Sequence, residues 1–534
     1  MAGDDKKTLI VAGSALELLI EFSNNVVQSV ALNFPDSAEI VNKHAEAAGA
    51  ILFKDLQLGE AQSPLTKSLA PFAANFERLA VLDKLSVNPG LNLYEAVAGI
   101  YESLCRLHAW ELQKAREDPA AAAKGEEHLK NLVLCTKSGT PTMNAKGRVG
   151  MTLDYWKQRR LQPPLDPAVA AWAEANEQTW SILIGCASLG EIGVNPVRIS
   201  DKWIGPGIEK MALGDELHAG GPIIDWQEPE STFVPTPDPT KADPMQPDPS
   251  LLGPRLPAVV FDATFDPPVH IPATLWEQIQ TLGCSLDGPA VKESATFDSL
   301  VFPYPPGKEP VSGVPRTVLF SKKTPFVAPG ETKLSLKTQT TTLSVPRPIA
   351  SRTLTTMTFS HPQQLITVLP YLRQYAFLAT LLQNSLTQPP NNANRIVDGP
   401  SPPTTTAAKP SKSITTTVDD YTTFLSPKQD QPRKEETQDE SLSVDLTLTQ
   451  SPTTVPRLRA LFPFRGEQTA DVTLEIRENG RVGVVAQDVL DLDGEGNMEV
   501  VGGRRQRRAE DVGLLLEHCE DLGKWIEFIR SRWA

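Results

Sequence analysis

The chain has 534 residues and a formal net charge of −14 at neutral pH. A chain of this length exceeds the roughly 250 to 300 residues at which one core stops growing, so we expect two or three folded units. The acidic balance disfavours broad binding to a phosphate backbone, so direct DNA binding is not expected. The 47 prolines are about twice the usual share and are concentrated, which indicates linkers between the units.

The cysteines and histidines indicate neither disulfide bonds nor a metal site. The five cysteines are odd in number, far apart and without a CxxC pair, which indicates reduced thiols. The seven histidines do not cluster with other ligands, so no metal or other cofactor is predicted. The apolar run from Leu9 to Leu16 is broken by Gly13 and Ser14, so neither a signal peptide nor a membrane association is expected.

Residues 1–134 are predicted to be a helical N-terminal region. The best segment runs from Leu93 to Arg116, where Asn92 and Glu95 can form a capping box. Apolar residues recur there at spacings of three and four and share one face, namely Leu93, Val97, Ile100, Leu104 and Leu107. We expect this helix to bury that face.

Residues 135–230 are predicted to be an α+β unit. From Gly147 to Leu161 the apolar positions alternate, with Val149, Met151, Leu153 and Tyr155 on one side, which is the period of a half-buried strand. Spacings of four and three also allow a helix here, and we favour the strand. Residues 166–177 are helix-like, and residues 180–186 are typical of a buried strand.

Two segments are predicted to be linkers. The first covers residues 231–256 and is acidic, with eight prolines between Pro235 and Pro257. The second covers residues 388–441 and is rich in proline, threonine and serine. Both have too few large apolar side chains to offset the entropy of chain ordering, so we expect a linker or long surface loop in the first and disorder in the second.

Residues 257–387 are predicted to be a β-rich unit that ends in an amphipathic helix. Short strand-like runs follow Pro257, and Ser360 with Gln363 can form a capping box at the start of the helix. Pro370 is expected to kink or restart that helix.

Residues 442–534 are predicted to be a β-hairpin unit with a C-terminal helix, because alternating apolar runs flank an Asn479-Gly480 turn signal. The predicted fold class is therefore α+β. It has an N-terminal helical region followed by antiparallel sheet units with packed helices, interrupted by disordered linkers.

Two groups of residues are candidates for partner binding. Leu378, Leu381 and Leu382 form an LxxLL pattern of the kind that fits hydrophobic grooves, but the pattern continues a face that the helix should bury, so we favour core packing. Lys157, Arg159 and Arg160 form a cationic cluster, interpreted as a surface for acidic partner segments. Reversing these three charges is expected to weaken assembly and leave the fold intact.

The densest basic run is the predicted nuclear localisation signal, Arg504, Arg505, Arg507 and Arg508. A solvated loop facing the preceding acidic turn is the alternative interpretation. That turn, residues 491–502, begins like a calcium loop but ends on Gly502 where a bidentate carboxylate is needed, so we predict no calcium site.

No catalytic motif is present: the sequence lacks GxSxG, a P-loop, a GxGxxG after a strand and HExxH, so no catalytic residue is predicted. An enzyme would need Asp154, Asp262, Asp266 and a histidine to converge in one cleft. A nucleic-acid binder would need Arg148 on one face with the cationic cluster and the basic run. The absence of a recognisable catalytic motif favours a scaffold protein over an enzyme or a nucleic-acid-binding protein.

Five blocks of sequence carry a resemblance to a known family. They begin at Leu82 (LDKLSVNPGLNLYEAVAGIYESL), Cys135 (CTKSGTPTMNAKGRVGMTLDYWKQRRL), Phe261 (FDATFDPPVHIP), Ser360 (SHPQQLITVLPYLRQYAFLATLL) and Arg457 (RLRALFPFRGEQTADVTLEI). In this order they resemble the Mediator complex subunit 1 family in its shorter fungal form.

The resemblance implies a non-enzymatic transcription coactivator in the nucleus. Family members sit in the middle module of Mediator, contact other Mediator subunits and activators, and act on RNA polymerase II indirectly. Animal members carry LxxLL motifs in a flexible region after the homology domain. Here the motif lies in a predicted helix, so receptor binding is not carried over. Another nuclear scaffold or adaptor is the alternative, ahead of a nucleic-acid-binding protein or an enzyme.

Overall fold

The computed structural model describes residues 6–59, 62–88, 90–161, 177–190, 195–210, 222–234, 255–287, 295–305, 314–327, 334–387, 442–451, 455–466, 468–490 and 509–533. These residues form helices packed on mostly antiparallel sheets, so the predicted α+β class is confirmed. Several predictions fall outside the described residues: nearly all of the helix over 166–177, most of the 231–256 linker, the 388–441 linker, and the acidic turn with the basic run over 491–508.

The elements have the following bounds. The strands are β1 (Lys6–Ala12), β2 (Glu17–Ser23), β3 (Val26–Asn33), β4 (Thr140–Ala145), β5 (Arg148–Lys157), β6 (Thr179–Ser188), β7 (Ile204–Glu209), β8 (Ile224–Trp226), β9 (Val259–Pro272), β10 (Ser285–Asp287), β11 (Arg316–Val327), β12 (Leu334–Val345), β13 (Ser351–Phe359), β14 (Leu442–Thr449), β15 (Arg457–Phe464), β16 (Gln468–Arg477) and β17 (Arg481–Gln487). The helices are α1 (Glu39–Asn42), α2 (Ala45–Leu56), α3 (Ala70–Leu85), α4 (Leu93–Glu117), α5 (Pro119–Ala122), α6 (Glu126–Thr136), α7 (Ala273–Thr281), α8 (Phe297–Val301), α9 (Pro362–Leu386), α10 (Ala509–Cys519) and α11 (Leu522–Trp533), with 3-10 turns at Pro64–Thr66 and Glu478–Gly480.

The N-terminal region begins with a sheet and not with helices. The strands β1, β2 and β3 form a three-stranded antiparallel sheet, so the predicted helical region begins only at Glu39. Asn24 and Asn25 both have positive φ, which is the backbone of a two-residue hairpin turn whose twist suits the strands. Leu18 and Ile20, two residues apart, are buried on one face. The prediction of a helix was wrong for these residues, because runs of adjacent apolar residues fit the helical period as well as the strand period.

The helices that follow pack on this small sheet and on a six-stranded sheet. In α4 the Asn92 side chain accepts the N–H groups of Tyr94 and Glu95, so the predicted N-cap is confirmed. The Glu95 carboxylate accepts instead from the N–H of Ala38, which ties α4 to α1. The predicted apolar face of α4 is buried.

The first large sheet has the strand order β10-β13-β9-β6-β5-β4 and is antiparallel throughout. The stretch predicted as a strand is β5, so the helical alternative is wrong. Residues 151–156 are all buried, because α3, α6 and α9 contact this strand. The strand is therefore more enclosed than the predicted half-buried one.

The second large sheet has the strand order β11-β12-β14-β15-β16-β17. Its strands β12 and β14 pair in parallel, and the other neighbours are antiparallel. Strands from the two predicted units 257–387 and 442–534 therefore share one sheet. The helices α10 and α11 pack on this sheet through β17 and β11.

Helix α9 lies in the core and contacts β5 and β9 of the first large sheet and β11 and β16 of the second. It is capped by His361, whose Nδ1 accepts the N–H of Gln363, one residue after the predicted cap. The helix continues through Pro370, so the predicted restart does not occur. Among the described helices it alone is long and apolar enough to cross a membrane, but 72% of that window is buried, which is typical of a core helix.

Candidate partner-binding surfaces

The predicted cationic cluster lies where β5 ends. Lys157 is the last residue of the strand and is half-buried, and Arg159 turns the chain with a φ of 57°. The Arg159 side chain lies 3.6 Å from the Glu177 carboxylate and keeps 37% of its surface exposed. Arg160 is only 4% exposed. The three residues therefore do not form one exposed surface.

Arg160 binds the C-terminal end of its own chain. Its guanidinium donates to Glu517 Oε2 at 3.0 Å, to Glu520 Oε1 at 3.4 Å and to the carbonyl oxygen of Gly480 at 2.8 Å. It also stacks on the rings of Trp156 and Phe377, with 4.5 and 5.0 Å from Cζ to the ring centres. We call this group of contacts the Arg160 cluster.

The Arg160 cluster corrects one sequence-based interpretation. The acidic segment that this cation meets belongs to the junction of α10 and α11 and not to a partner. Burial raises the pKa of Glu520, and Arg160 opposes that rise, so each charge needs the other. Reversing Arg160 is therefore expected to harm the fold, contrary to the prediction of an intact fold. A partner role for Lys157 and Arg159 stays a prediction.

The predicted Asn479-Gly480 turn lies beside the Arg160 cluster. It connects β16 to β17, and both residues have positive φ, but the connection has three residues, Glu478–Gly480, and not the two that the Asn-Gly pair predicts. A Cβ on Gly480 would lie 2.6 Å from Trp156 Cη2 and 2.9 Å from Phe377 Cβ. Only glycine fits this contact, so the turn serves as a docking element as well as a hairpin connection.

Arg373 holds the same turn from α9. It is fully buried and donates to the carbonyl oxygens of Tyr155, at 2.8 Å, and Leu134, at 2.9 Å, and to Asn479 Oδ1 at 2.9 Å. Burial lowers the pKa of Arg373 to about 10, so the side chain stays charged at neutral pH. The sequence did not lead us to predict a role for Arg373. The feature that could have indicated one is a charged residue inside an otherwise apolar helix.

Two further ion pairs fasten the C-terminal helices. Lys322 of β11 lies 2.7 Å from Asp521, and both side chains are buried. Lys337 of β12 lies 3.3 Å from Glu527 of α11. Asp521, between α10 and α11, and Glu527 of α11 are thus paired with cations from β11 and β12, which gives this interface a complementary charge pattern.

The three leucines of the LxxLL pattern lie inside the core. Leu378 is 1% exposed, and Leu381 and Leu382 are fully buried. Their helix lies between the two large sheets, so a partner cannot reach them unless the core opens.

The aspartates of the enzyme alternative are engaged in structural contacts. Asp154 is buried and accepts from Ser181 Oγ and Lys146 Nζ, both at 2.6 Å. Asp266 pairs with Arg148. Three of the described histidines, His108, His270 and His361, contact Gly139, Thr353 and Gln227 respectively. Within the described residues, no group of three or more His, Cys, Asp or Glu side chains is placed to hold a metal ion.

An apolar cleft with about 440 Å³ of open space lies between α2, α3, α4 and the β4–β5 hairpin. Its polar lining is used for structure: the Tyr94 hydroxyl donates to the carbonyl of Leu79, and Asn144 binds the backbone of His44 and Gly150. Burial is the main cause that lowers the pKa of His44, which favours its neutral form. These residues offer no acid–base pair for catalysis.

Comparison with known proteins gives a family. No curated protein matches the chain. A sequence model of the family described as Mediator of RNA polymerase II transcription subunit 1 matches residues 1–387, from the N-terminal sheet to the end of α9. The resemblance block at Arg457 lies outside this match. Because the match covers well over half of the sequence, the chain belongs to the family of Mediator of RNA polymerase II transcription subunit 1.

Proposed function

We propose that the chain is a non-enzymatic coactivator in the nucleus and a structural subunit of the middle module of Mediator. In this role it contacts other Mediator subunits and transcription activators, and it relays signals from DNA-bound regulators to RNA polymerase II indirectly. The single observation that carries the proposal is the family match over residues 1–387. We further assign the chain to the shorter fungal form of the family.

The charges and contacts of the described residues support a role by surface contact. Two of the basic residues that a nucleic-acid face would use are engaged within the chain, since Arg148 pairs with Asp266 and Arg160 pairs with Glu517 and Glu520. The net charge of −14 also opposes association with a phosphate backbone. The aspartates that a catalytic site would use are bound to neighbouring side chains.

The packing of the core supports a role in relaying signals, because a protein that transmits the effect of one partner to another must be rigid. Helix α9 contacts both large sheets, and the Arg160 cluster joins β5 to the C-terminal helices. Entry into the nucleus is assigned to the basic run Arg504, Arg505, Arg507 and Arg508. Alanine at these four positions should shift a fluorescent fusion of the full chain to the cytoplasm.

The proposal is tested by transcription from a template that carries an activator site. Nuclear extract from cells that lack the chain should lose most of the activator-dependent transcript and retain most of the basal transcript. Mediator purified from cells that express the full chain should restore the activated level. Equal activated transcription with and without the chain would contradict a coactivator role.

A further inference from the structure

The described elements fall into two groups along the chain, which residues 388–441 connect. The first group, called the main body, contains all elements from β1 to α9 and ends at Thr387. The second group, called the C-terminal module, contains β14 to β17, α10 and α11. The family match ends at residue 387 as well, so it covers the main body and none of the C-terminal module.

The C-terminal module has packing contacts of its own. Its four strands pair antiparallel in chain order, so neighbours in the sheet are also neighbours in the chain. Trp525 of α11 packs on Phe462 of β15, with 6.0 Å between ring centres, and its Nε1 donates to the carbonyl oxygen of Val512 in α10 at 3.0 Å. A Cβ on Gly513 of α10 would lie 2.5 Å from the carbonyl oxygen of Val482 in β17. These contacts connect both helices and the sheet, and they involve no residue of the main body.

The boundary between the main body and the C-terminal module is polar. Four hydrogen bonds cross it from residues of α9, namely Gln374 Nε2 to Ile476 O at 2.6 Å, Asn384 Nδ2 to Glu520 O at 3.2 Å, Gln450 Nε2 to the Tyr375 hydroxyl at 2.7 Å and Leu522 N–H to Ser385 Oγ at 2.8 Å. Arg160, Lys322 and Lys337 of the main body also pair with carboxylates of the C-terminal module. Hydrogen bonds and ion pairs along a boundary are typical of an interface between two proteins.

The second large sheet crosses this boundary at one strand pair. In the part of the chain that the structure describes, β12 and β14 are the only paired strands that come from different groups. They pair in parallel from Gln339 opposite Leu442 to Ser344 opposite Thr447. A strand of one protein adds to the open edge of a sheet in another protein in the same way. The main body alone would have such an edge at β12.

We propose that the C-terminal module is a separable unit that keeps its own fold, binds the main body as a partner protein would, and exchanges between copies of the chain once residues 388–441 are cut. In the intact chain the covalent connection makes this binding intramolecular, which favours the docked state. Release of the module uncovers the edge of β12 and the side of α9 that carries Gln374 and Ser385. The inference goes beyond the proposed function, because it concerns a contact within the chain and not the assembly that the chain joins.

The test uses the full chain with a protease recognition site inserted within residues 388–441. After cleavage, size-exclusion chromatography should recover both fragments in one complex. When cleaved chains with and without isotope labels are mixed, native mass spectrometry should detect hybrids of one labelled and one unlabelled fragment. Hydrogen exchange should show that the backbone amides of β15 and β16 stay protected while the hybrids form, because the module leaves the main body without unfolding.

Two variants of the cleaved chain separate binding across the boundary from general stability. Arg160→Met removes the bonds to Glu517 and Glu520, so it should speed the formation of hybrids by about 100-fold or more. Arg316→Met is the matched control, because Arg316 is 13% exposed and pairs at 3.1 Å with Asp298 inside the main body. It should lower the melting temperature and leave the rate of hybrid formation unchanged.

Four results would overturn the inference. The fragments could separate or aggregate on cleavage, or no hybrids could form even with Arg160→Met. The amides of β15 and β16 could lose protection as fast as the hybrids form, which would show that the module leaves only by unfolding. Arg316→Met could speed the formation of hybrids as much as Arg160→Met does. None of these results would affect the proposed function, which rests on the family match.

Discussion

Replacing Arg160 with methionine tests whether the C-terminal helices are fastened to the rest of the fold as the contacts indicate. The substitution keeps most of the side-chain length and removes the charge. It deletes the bonds to Glu517, Glu520 and Gly480 and leaves two carboxylates buried without their cation. Removing one partner of a buried pair costs about 3 to 5 kcal/mol, so we expect a loss of that size in the free energy of unfolding.

Arg159→Met is the matched control, since it changes the same residue type one position earlier. Its side chain is 37% exposed and lies 3.6 Å from Glu177, so its removal should cost at most about 1 kcal/mol. Calorimetric melting and urea unfolding of the full-length variants measure both losses. If Arg160→Met and Arg159→Met lowered the melting temperature equally and slightly, the Arg160 cluster would not hold the C-terminal helices.

The same variant has a predicted pH dependence. Burial raises the pKa of Glu520, and Arg160 lowers it, so removing Arg160 raises the folded-state pKa further. Between the ordinary and the raised pKa the folded chain then binds a proton that the unfolded chain releases, and stability falls as the pH rises through this window. The loss caused by Arg160→Met should therefore be larger at about pH 8 than at about pH 5.

Further substitutions test the packing around the core. Gly480→Ala would force a contact at 2.6 Å with a tryptophan ring and should cost about 2 kcal/mol or more, whereas Gly466→Ala has a similar positive φ with nothing within 4 Å and should cost about 1 kcal/mol in thermal unfolding. Leu381→Ala should cost about 2 to 5 kcal/mol in urea unfolding, and Leu65→Ala, at a residue 96% exposed, should cost almost nothing; a stable Leu381→Ala chain that loses only a partner would favour recruitment. Burial raises the pKa of all five cysteine thiols, to about 12 for Cys284 and about 11 for Cys519, so the folded chain should react slowly with a thiol reagent at neutral pH and quickly in urea.

The local sequence pattern predicted the structural features that depend on residues close to one another in the chain. The strand period of β5, the N-cap at Asn92 and the turn at Asn479 and Gly480 each depend on residues within a few positions, and all three occur in the structure. The secondary structure at the start of the chain was harder to predict, because the apolar residues from Leu9 to Val11 are compatible with a helix or a strand. The turn at Asn24 and Asn25 carried the deciding signal, since both residues tolerate positive φ.

Contacts across long sequence separations could not be predicted from periodicity. The parallel pairing of β12 with β14 joins Gln339 to Leu442 across the predicted linker, and nothing in either strand specifies the other. Arg160 binds Glu517 and Glu520, which lie about 360 positions later in the chain. The cationic residue that the sequence assigned to a partner-binding surface therefore makes a contact within the fold. The strands β14 to β17, which lie beyond the family match, thus complete a sheet that β11 and β12 begin within it.

Crosslinking mass spectrometry of the assembly purified from nuclear extract through a tag on the full chain tests the proposed function most directly. The proposal predicts crosslinks from exposed lysines of this chain to subunits of the Mediator middle module, with the rest of Mediator present in the same preparation. Recovery of the intact chain without any Mediator subunit would contradict it.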